Sequence, residues 1–273
     1  MARPDGHDAP GLINGPGPGV AAEVGGLVMR LPLLAIFFLA SQAASAGTCV
    51  DITVPAYFYP FPTGSPWDMT LASRPPPAGM IANPASGPGT SVDPNYTKVI
   101  HEAQFSYPYV TILGYVDTDY GKRSISQVES DVAAWVKFYR PNAIFFDRVM
   151  ATSSFYSYYE TLSNYVAVNV GRVFLNPGVY PGDERFMQLN SGTVKVVTCE
   201  NTYAACAAVT PPSWASKYSN QIYIMHNTVS SDRQNAANLA ASRNVKGVYI
   251  TDQPYNALPS YWQLEVSYTK DGC

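Results

Sequence analysis

Eight short runs of apolar residues recur along the chain, and each ends at or just before a polar or charged side chain. The runs are Val54 to Tyr59, Met80 to Asn83, Val110 to Val116, Ala143 to Asp147, Val173 to Asn176, Val194 to Glu200, Ile222 to His226, and Val248 to Asp252. Near-continuous apolar runs are typical of parallel strands that are covered on both faces. Their number and spacing predict an α/β fold, a (β/α)8 barrel of the TIM type.

Helical patterns lie between these runs, as the crossovers of a parallel barrel require. The clearest covers Ser126 to Tyr139, where apolar residues form one stripe and Ser126 with Glu129 predicts a capping box. Other helices are predicted to begin at Asp93-Pro94 and at Ser231-Asp232. Residues 60–92 are rich in proline and have no room for a full helix, so we expect the barrel to be distorted near its first two strands.

The N-terminal segment has the features of a secretory signal. Met29-Arg30 precedes the apolar stretch Leu31 to Ala40, which is too short to span a bilayer, and Ala44-Ser45-Ala46 is a small-x-small cleavage sequence. We therefore expect residues 1–28 to be a non-native upstream extension, residues 29–46 to be a signal peptide, and residues 47–273 to be a single domain. This organisation predicts a secreted protein, with association with the cell wall as an option, and no membrane contact after cleavage.

Four cysteines lie in the expected mature chain, and an even number in a secreted protein favours disulfides. In a closed barrel the first strand lies beside the last helix, so a Cys49–Cys273 bond would join the two ends. Cys199 and Cys206 would then close a short loop. The alternative is that Cys199 and Cys206 are free and buried.

Composition excludes some classes of function. The formal net charge is −3 and only 14% of residues are charged, which gives no electrostatic footprint for nucleic acid. Only His101 and His226 remain in the expected mature chain, so we expect no zinc site and no cofactor. The 20 tyrosines suit either packing or stacking on sugar rings. Asn95-Tyr96-Thr97 is an acceptor sequence for N-glycosylation.

The C-terminal ends of barrel strands usually hold the functional groups of the fold. Here they supply Tyr57, Tyr59, Asn83, Tyr115, Asp117, Asp147, Asn176, Glu200, His226 and Asp252. Glycosidic bonds are cleaved by two carboxyl groups, which Asp147 and Glu200 could provide. Strand alternation places Phe145 and Ala143 on the inner side with Asp147. It also places Thr198, Val196 and Val194 on the inner side with Glu200, and Cys199 outside.

Several stretches resemble spherulation-specific family 4, the spherulin-4-like proteins. They are Val54-Pro55-Ala56-Tyr57-Phe58-Tyr59-Pro60, Asn83-Pro84-Ala85-Ser86-Gly87-Pro88-Gly89, Leu113-Gly114-Tyr115-Val116 with Tyr120-Gly121-Lys122-Arg123, Ile144-Phe145-Phe146-Asp147, and Val197-Thr198-Cys199-Glu200-Asn201-Thr202-Tyr203. The resemblance covers nearly all of residues 51–256. It implies a barrel related to glycoside hydrolase families 135 and 114, whose characterised fungal members cut α-1,4-linked galactosamine or N-acetylgalactosamine polymers.

One reading of these residues is an endo-acting glycosidase in which Asp147 is the nucleophile and Glu200 the acid/base. Tyr57, Tyr59, Asn83, Tyr115, Asp117, Arg148, Asn176, His226 and Asp252 would bind an amino-sugar polysaccharide, and the protein would act as a monomer. We expect the carboxyl separation of a retaining enzyme. The alternatives are a weakened or inactive relative that binds wall polysaccharide, and a spore or cyst coat protein.

Position 148 departs from the family pattern, which usually reads Phe-Phe-Asp-Glu at the end of the fourth strand. Arg148 stands here in place of the glutamate. If its guanidinium folds back on to Asp147, it would favour the ionised carboxylate that a nucleophile needs. The alternative is that Arg148 points outward in a surface ion pair.

Overall fold

The computed structural model describes residues 50–267, which form a closed barrel of eight parallel strands in the order of the sequence. This confirms the predicted (β/α)8 architecture. The strands are β1 Asp51–Ala56, β2 Gly79–Ala82, β3 Thr111–Asp117, β4 Ala143–Asp147, β5 Arg172–Leu175, β6 Lys195–Thr202, β7 Gln221–His226 and β8 Gly247–Ile250.

Seven α-helices lie on the described part of the chain. They are α1 Pro66–Leu71, α2 Pro94–Ser106, α3 Ile125–Phe138, α4 Tyr156–Asn169, α5 Tyr203–Ala208, α6 Arg233–Ser242 and α7 Trp262–Val266. Short 3-10 segments supplement them at Asp119–Gly121, Ser153–Phe155, Glu184–Gln188, Asn190–Gly192 and Ala215–Lys217. None of the helices within residues 50–267 is long and apolar enough to cross a membrane.

Helix starts follow local capping chemistry. Asp93 caps α2 by accepting from the backbone amides of Asn95 and Tyr96, as the Asp-Pro pair predicts. Helix α3 begins one residue earlier than expected, and its capping box is formed by Ser124 and Gln127. The predicted box of Ser126 and Glu129 was therefore wrong, because both residues already lie inside the first turns of the helix.

The crossover between β1 and β2 is the irregular part of the N-terminal half. It contains only the six-residue helix α1, in agreement with the expectation that residues 60–92 leave no room for a full helix. The strands themselves pair regularly, from Thr53↔Gly79 to Ala56↔Ala82. The irregularity near the first two strands thus lies in their connection.

The packing of Gly114 shows which side chains of β3 point out of the barrel and which point into it. Gly114 faces outward, because a Cβ atom there would lie 2.5 Å from the ring of Trp135 on α3. Its neighbours therefore point inward, and Tyr115 is paired with Phe145 in the register that also pairs Asp117 with Asp147. The predicted inward direction of Asp147 and Phe145 agrees with this register.

Strand β6 does not keep the simple alternation that its sequence predicts. Its register against β7 shifts between Val197 and Cys199, so that Val197 pairs with Ile222 and Glu200 with Ile224. Because the two isoleucines share one side of β7, Val197 and Glu200 share one side of β6. The predicted inward set of Val194, Val196 and Thr198 was therefore wrong, since the extra residue at the bulge inverts the alternation below it.

Lys195 confirms that, before the bulge, the side chains of Lys195 and Val197 point into the barrel. Its ammonium group lies 5.8 Å from the ring centroid of Phe174 on β5 and 3.7 Å from an oxygen of Asp51 on β1. Strands β6 and β1 are not neighbours, so the contact between Lys195 and Asp51 runs across the interior. The lower barrel is thus closed by an ion pair beside an aromatic ring.

The disulfide between Cys199 and Cys206 confirms one of the two predicted pairings. It joins the outer side of β6 to helix α5, and both residues are buried. The other predicted pairing, Cys49–Cys273, lies outside the described residues. So do the predicted upstream extension and signal peptide.

The junction of β8 and β1 is short and contains a buried acid. The two strands pair only through Asp51↔Gly247 and Ile52↔Val248. Beyond that point, the backbone amide of Ile250 donates to Glu265 Oε1 of α7 at 2.7 Å. Glu265 is fully buried, and this burial raises the pKa of its carboxyl group well above the usual range, against the opposing effect of the Ile250 amide.

Glu265→Gln should flatten the pH dependence of stability. Below the ordinary pKa of glutamic acid both states hold the proton. Above it only the folded state does, so the free energy of unfolding falls as the pH rises towards the folded-state pKa. Glutamine keeps the oxygen that accepts from Ile250 and has no such proton. Urea unfolding between about pH 4 and pH 9 should therefore show a weaker decline in the variant than in the wild type.

Glu102→Gln is the matched control, because it replaces a glutamate by glutamine at an exposed position. It should follow the wild-type curve. If Glu265→Gln also ran parallel to the wild type, Glu265 would not be the group that takes up the proton.

Candidate active site

Two carboxylates meet at the C-terminal end of the barrel through one shared amide. Asp147 is the last residue of β4, Asn176 follows β5 directly, and Glu200 lies in the upper part of β6. The amide nitrogen Nδ2 of Asn176 donates to Asp147 Oδ1 at 2.7 Å and to Glu200 Oε2 at 2.5 Å. These two distances limit the separation of the two carboxylate oxygens to at most about 5.2 Å.

The orientation of the bridging amide is fixed from its other side. Asn176 is buried, and its Oδ1 accepts from the backbone amide of Gly178 at 3.0 Å. The carbonyl oxygen of Gly178 in turn accepts from the backbone amide of Glu200 at 2.9 Å. This turn holds the NH2 group of Asn176 towards the two carboxylates and ties the loop after β5 to strand β6.

Tyrosine hydroxyls complete the donors to the pair. Tyr115 Oη donates to Asp147 Oδ2 at 2.8 Å, and Tyr255 Oη donates to Glu200 Oε1 at 2.8 Å. With the two bonds from Asn176, each of the four carboxylate oxygens accepts one hydrogen bond from the protein. Both carboxyl groups are only half-buried, so the pair remains accessible from the rim.

A third tyrosine fills the space between these two. The ring of Tyr57 contacts Tyr115 and Tyr255 edge to face, with centroid distances of 5.8 Å and 5.9 Å. Burial, followed by the nearby carboxylates, raises the pKa of all three tyrosines above its usual value. The hydroxyls therefore stay protonated at neutral pH and remain hydrogen-bond donors.

The side chain of Arg148 forms ion pairs with neighbouring aspartates of the rim and not with Asp147. Its Nε and Nη2 donate to the two oxygens of Asp117 at 2.8 Å and 2.5 Å, and Nη2 is 3.2 Å from Asp119 Oδ1. Arg148 has φ +52°, in the left-handed region, directly after the last residue of β4. The structure thus shows the surface ion pair, and the alternative in which the guanidinium folds back on to Asp147 was wrong.

The ion pair in turn fixes the charge of Asp117. Burial opposes ionisation of this carboxyl group, but the hydrogen bonds from Arg148 and from the Asp119 amide outweigh burial and lower the pKa of Asp117. Asp117 is therefore an anchor for the arginine.

An open cleft of about 330 Å³ lies over the two carboxylates. It is lined by Tyr120, Asp147, Arg148, Asn176, Pro177, Gly178, Glu200 and His226. The structure thus brings Asp147, Asn176, Glu200 and His226 together, as the strand-end pattern predicts, and Arg148 lies beside them. Within residues 50–267, no group of three or more His, Cys, Asp and Glu side chains is arranged to hold a metal ion.

Other predicted residues are engaged elsewhere. Asn83 Oδ1 accepts from the backbone amide of Gly87 and so holds the turn after β2. Asp252 accepts from the amide and the hydroxyl of Ser260 in the loop after β8. Neither residue is among those that line the cleft.

Tyr59 also lies apart from the cleft. Its hydroxyl donates to Asp93 Oδ2 at 3.1 Å and accepts from Asn95 Nδ2 at 2.8 Å. Asn95 is the residue of the predicted glycosylation sequence, and it lies in the first turn of α2. Its amide nitrogen is thus used in a side-chain hydrogen bond.

Sequence reasoning missed two residues of the site. Tyr255 lies in the loop after β8, three residues beyond the end of the predicted run, and no periodicity indicates that its hydroxyl reaches Glu200. Tyr120 lies in the loop after β3. It belongs to the stretch Tyr120-Gly121-Lys122-Arg123 that carries the family resemblance, and this was the only signal.

Comparisons with known proteins agree with the barrel fold. The family model described as "Spherulation-specific family 4" matches residues 51–269. The chain is 31% identical to "Spherulin-4" of Physarum polycephalum over 261 residues, which cover 88% of this chain and 75% of that protein. Among solved structures, it is similar to Aspergillus clavatus Sph3 in complex with GalNAc, with a TM-score of 0.67 and 26% identity. That match covers 81% of this chain and 97% of the other.

Proposed function

The chain belongs to spherulation-specific family 4, and on this premise we propose that it is a secreted glycoside hydrolase that cleaves α-1,4-linked N-acetylgalactosamine or galactosamine polymers. The similarity to Sph3, whose crystal structure holds GalNAc, supports an amino-sugar ligand. The disulfide between Cys199 and Cys206 fits an oxidising, extracellular location.

The shared amide of Asn176 is the observation that carries this proposal. It limits the distance between Asp147 Oδ1 and Glu200 Oε2 to at most about 5.2 Å, which is compatible with the short separation of about 5–5.5 Å in retaining glycosidases. An inverting enzyme needs about 6.5–9.5 Å to place a water molecule between substrate and base. The pair therefore suits attack by one carboxylate and proton transfer by the other.

In the first step, an oxygen of Asp147 attacks the anomeric carbon from one face of the sugar. The bond between that carbon and the glycosidic oxygen breaks, and the oxygen takes a proton from Glu200 as the leaving chain departs. In the second step, Glu200 takes a proton from water. The water oxygen then displaces Asp147 from the anomeric carbon and restores both groups.

The hydrogen-bond donors around Asp147 and Glu200 support these roles of nucleophile and acid/base. Tyr115 and Asn176 each donate to Asp147, which stabilises the anion that attacks and later departs. Tyr255 and Asn176 hold Glu200 in position, and a tyrosine with a raised pKa does not compete for the proton that Glu200 must transfer. The hydroxyls thus orient the carboxylates without taking part in the proton transfer.

A binding protein without turnover is the second candidate. Arg148 stands where the family usually has glutamate, and it pairs with Asp117 and Asp119. If that glutamate supplies the proton in active relatives, this chain would bind polysaccharide in the same cleft without cleaving it.

Incubation with an N-acetylated α-1,4-galactosamine polymer, and with its deacetylated form, tests the proposal. Soluble oligosaccharides released by the wild-type protein, and not by an Asp147→Asn/Glu200→Gln double variant, would support hydrolysis. Co-sedimentation of the wild-type protein with insoluble polymer, without products, would select the binding protein. Neither products nor binding would reject both candidates.

Arg148→Glu is expected to lower activity, although it restores the usual residue of the family. The new carboxylate would face Asp117 and Asp119 without a cation, which destabilises the rim. We expect a fall in kcat/KM of about 10-fold, because misplaced rim groups weaken substrate positioning. Initial rates on the polymer would measure this effect, and an increase in rate would indicate that Arg148 has replaced a catalytic acid.

A further inference from the structure

The two rim residues Tyr120 and Arg148 form a site that the proposed chemistry does not use. We propose that they bind the N-acetylhexosamine unit next to the one whose bond is cleaved. Tyr120 would stack on its ring, and Arg148 would donate to its acetamide carbonyl. This inference rests on the proposed function, because it assigns a neighbouring position in the same cleft.

The backbone of this rim is held in an uncommon conformation. Asp119, Tyr120 and Arg148 have φ values of +45°, +55° and +52°, in the left-handed region that bulky residues seldom adopt. Strain of this kind persists only where the surrounding structure imposes it, and it is concentrated at functional sites. The strained residues lie on two different loops, after β3 and after β4, that meet beside the cleft.

Hydrogen bonds hold the two loops together. The backbone amide of Tyr120 donates to the carbonyl oxygen of Arg148 at 2.7 Å. The hydroxyl of Thr118 lies 2.9 Å from the carbonyl oxygens of both Asp147 and Arg148. Tyr120 is therefore placed at a fixed position relative to the catalytic aspartate, which a binding platform requires.

The Tyr120 side chain is exposed even though its backbone is fixed. Its exposed fraction is 41%, and it lines the cleft. The guanidinium carbon of Arg148 lies 5.5 Å from the centroid of the ring. A large aromatic residue that is rigid and partly open to solvent offers a flat apolar face to the C–H side of a pyranose.

Arg148 supplies the polar half of the site. Its Nε and Nη2 donate to Asp117, and Nη2 also approaches Asp119. Nη1 carries two further N–H groups, and within residues 50–267 it has no hydrogen-bond partner. Because guanidinium can only donate, the group that it would bind on a ligand is an acceptor such as a carbonyl oxygen.

The guanidinium of Arg148, which only donates, should distinguish an acetylated from a deacetylated sugar unit. The acetamide carbonyl of an N-acetylhexosamine is an acceptor and carries no charge. The protonated amine of a deacetylated unit can only donate, and the guanidinium repels it. The pair therefore suits an acetylated unit at this position.

Binding of N-acetylgalactosamine oligosaccharides to Tyr120 variants tests the inference. Tyr120→Asn removes the ring, and asparagine tolerates the left-handed backbone, so the loop should keep its shape. We expect the Kd for an α-1,4-linked N-acetylgalactosamine trisaccharide to rise about 10-fold, and the Kd for the monosaccharide to stay the same. Isothermal titration calorimetry measures both constants, with Asp147→Asn in every protein compared so that the trisaccharide is not cleaved during the titration.

Two matched variants control for the loss of a ring in itself. Tyr120→Phe keeps the ring and should bind the trisaccharide like the wild type. Tyr109→Asn removes an exposed tyrosine before β3, at the opposite end of the barrel, and should also leave the binding unchanged. Arg148→Gln removes the positive charge and adds an acceptor, so it should reduce the preference for the acetylated over the deacetylated trisaccharide.

The outcomes separate this inference from the proposed function. If Tyr120→Asn binds the trisaccharide as the wild type does, or weakens the monosaccharide equally, Tyr120 is not a neighbouring sugar site, although cleavage by the wild type could still stand. If the wild-type protein binds no oligosaccharide, the inference and the proposed function fail together.

Discussion

Asp147→Asn and Glu200→Gln should each reduce kcat on the N-acetylgalactosamine polymer by about 10²- to 10⁴-fold or more, with polymer binding largely retained. Both substitutions keep the shape of the side chain. The single oxygen of each new amide can still accept from Asn176. Its NH2 group then takes the place of the oxygen that accepts from Tyr115 or Tyr255, and it can donate to that hydroxyl instead. Neither amide can attack the anomeric carbon or transfer the proton.

An activated substrate separates the two roles. An aryl α-glycoside has a leaving group that departs without protonation, so Glu200→Gln should form the glycosyl-enzyme from it at close to the wild-type rate. Asp147→Asn should remain inactive on the same compound, because it lacks the nucleophile. Burst kinetics with the aryl substrate measure the first step directly.

Thermal unfolding of both variants is the control, since loss of activity through misfolding would lower the Tm as well. Wild-type rates in either variant on the polymer would contradict the assignment. A reversed pattern on the aryl substrate would exchange the two roles and leave the two-carboxylate site in place.

Asn176→Asp should have an effect of similar size on activity. It replaces the shared NH2 group with an oxygen that lies next to Asp147 Oδ1 and Glu200 Oε2, at 2.7 Å and 2.5 Å in the wild type. Three carboxyl groups at this spacing cannot all ionise, so one holds a proton to a higher pH than usual. We expect kcat to fall by about 10²-fold or more near neutral pH and to recover partly in acid, where the new group can donate again.

Asn201→Asp is the matched control for this change. Asn201 follows Glu200 directly, is exposed, and uses its Oδ1 to accept from the Thr202 amide, which an aspartate can also do. It adds the same charge beside the site and should leave both kcat and its pH profile nearly unchanged. If Asn176→Asp behaved in the same way, the bridge would have no part in the reaction.

The sequence contains enough information to predict the barrel and the meeting of the two carboxylates. Parallel strands buried on both faces produce apolar runs, and the ends of those runs lie at one rim whatever the details of the loops. Asp147, Asn176 and Glu200 each end or follow such a run, so their proximity follows from the topology. The bridge between them could not be predicted, because it depends on the rotation of one amide.

The hydrophobic periodicity of the sequence could not predict three other features, each for a specific physical reason. The bulge between Val197 and Cys199 adds one residue to β6, so the residues before it face the side opposite to the predicted one. No residue type in the run indicates this bulge. Tyr255 reaches Glu200 from a loop, where no repeat of two or 3.6 residues applies. The direction of Arg148 depends on one positive φ angle, which arginine seldom adopts.

The stereochemistry of the first product tests the central claim most directly. Proton NMR of the cleavage of an α-1,4-linked N-acetylgalactosamine oligosaccharide distinguishes the two anomers before they interconvert. Asp147 and Glu200, with oxygens at most about 5.2 Å apart, should give the α-anomer first, because two displacements at the same carbon retain its configuration. If the β-anomer appeared first, the reaction would proceed by single displacement by water, and Asp147 would not be the nucleophile.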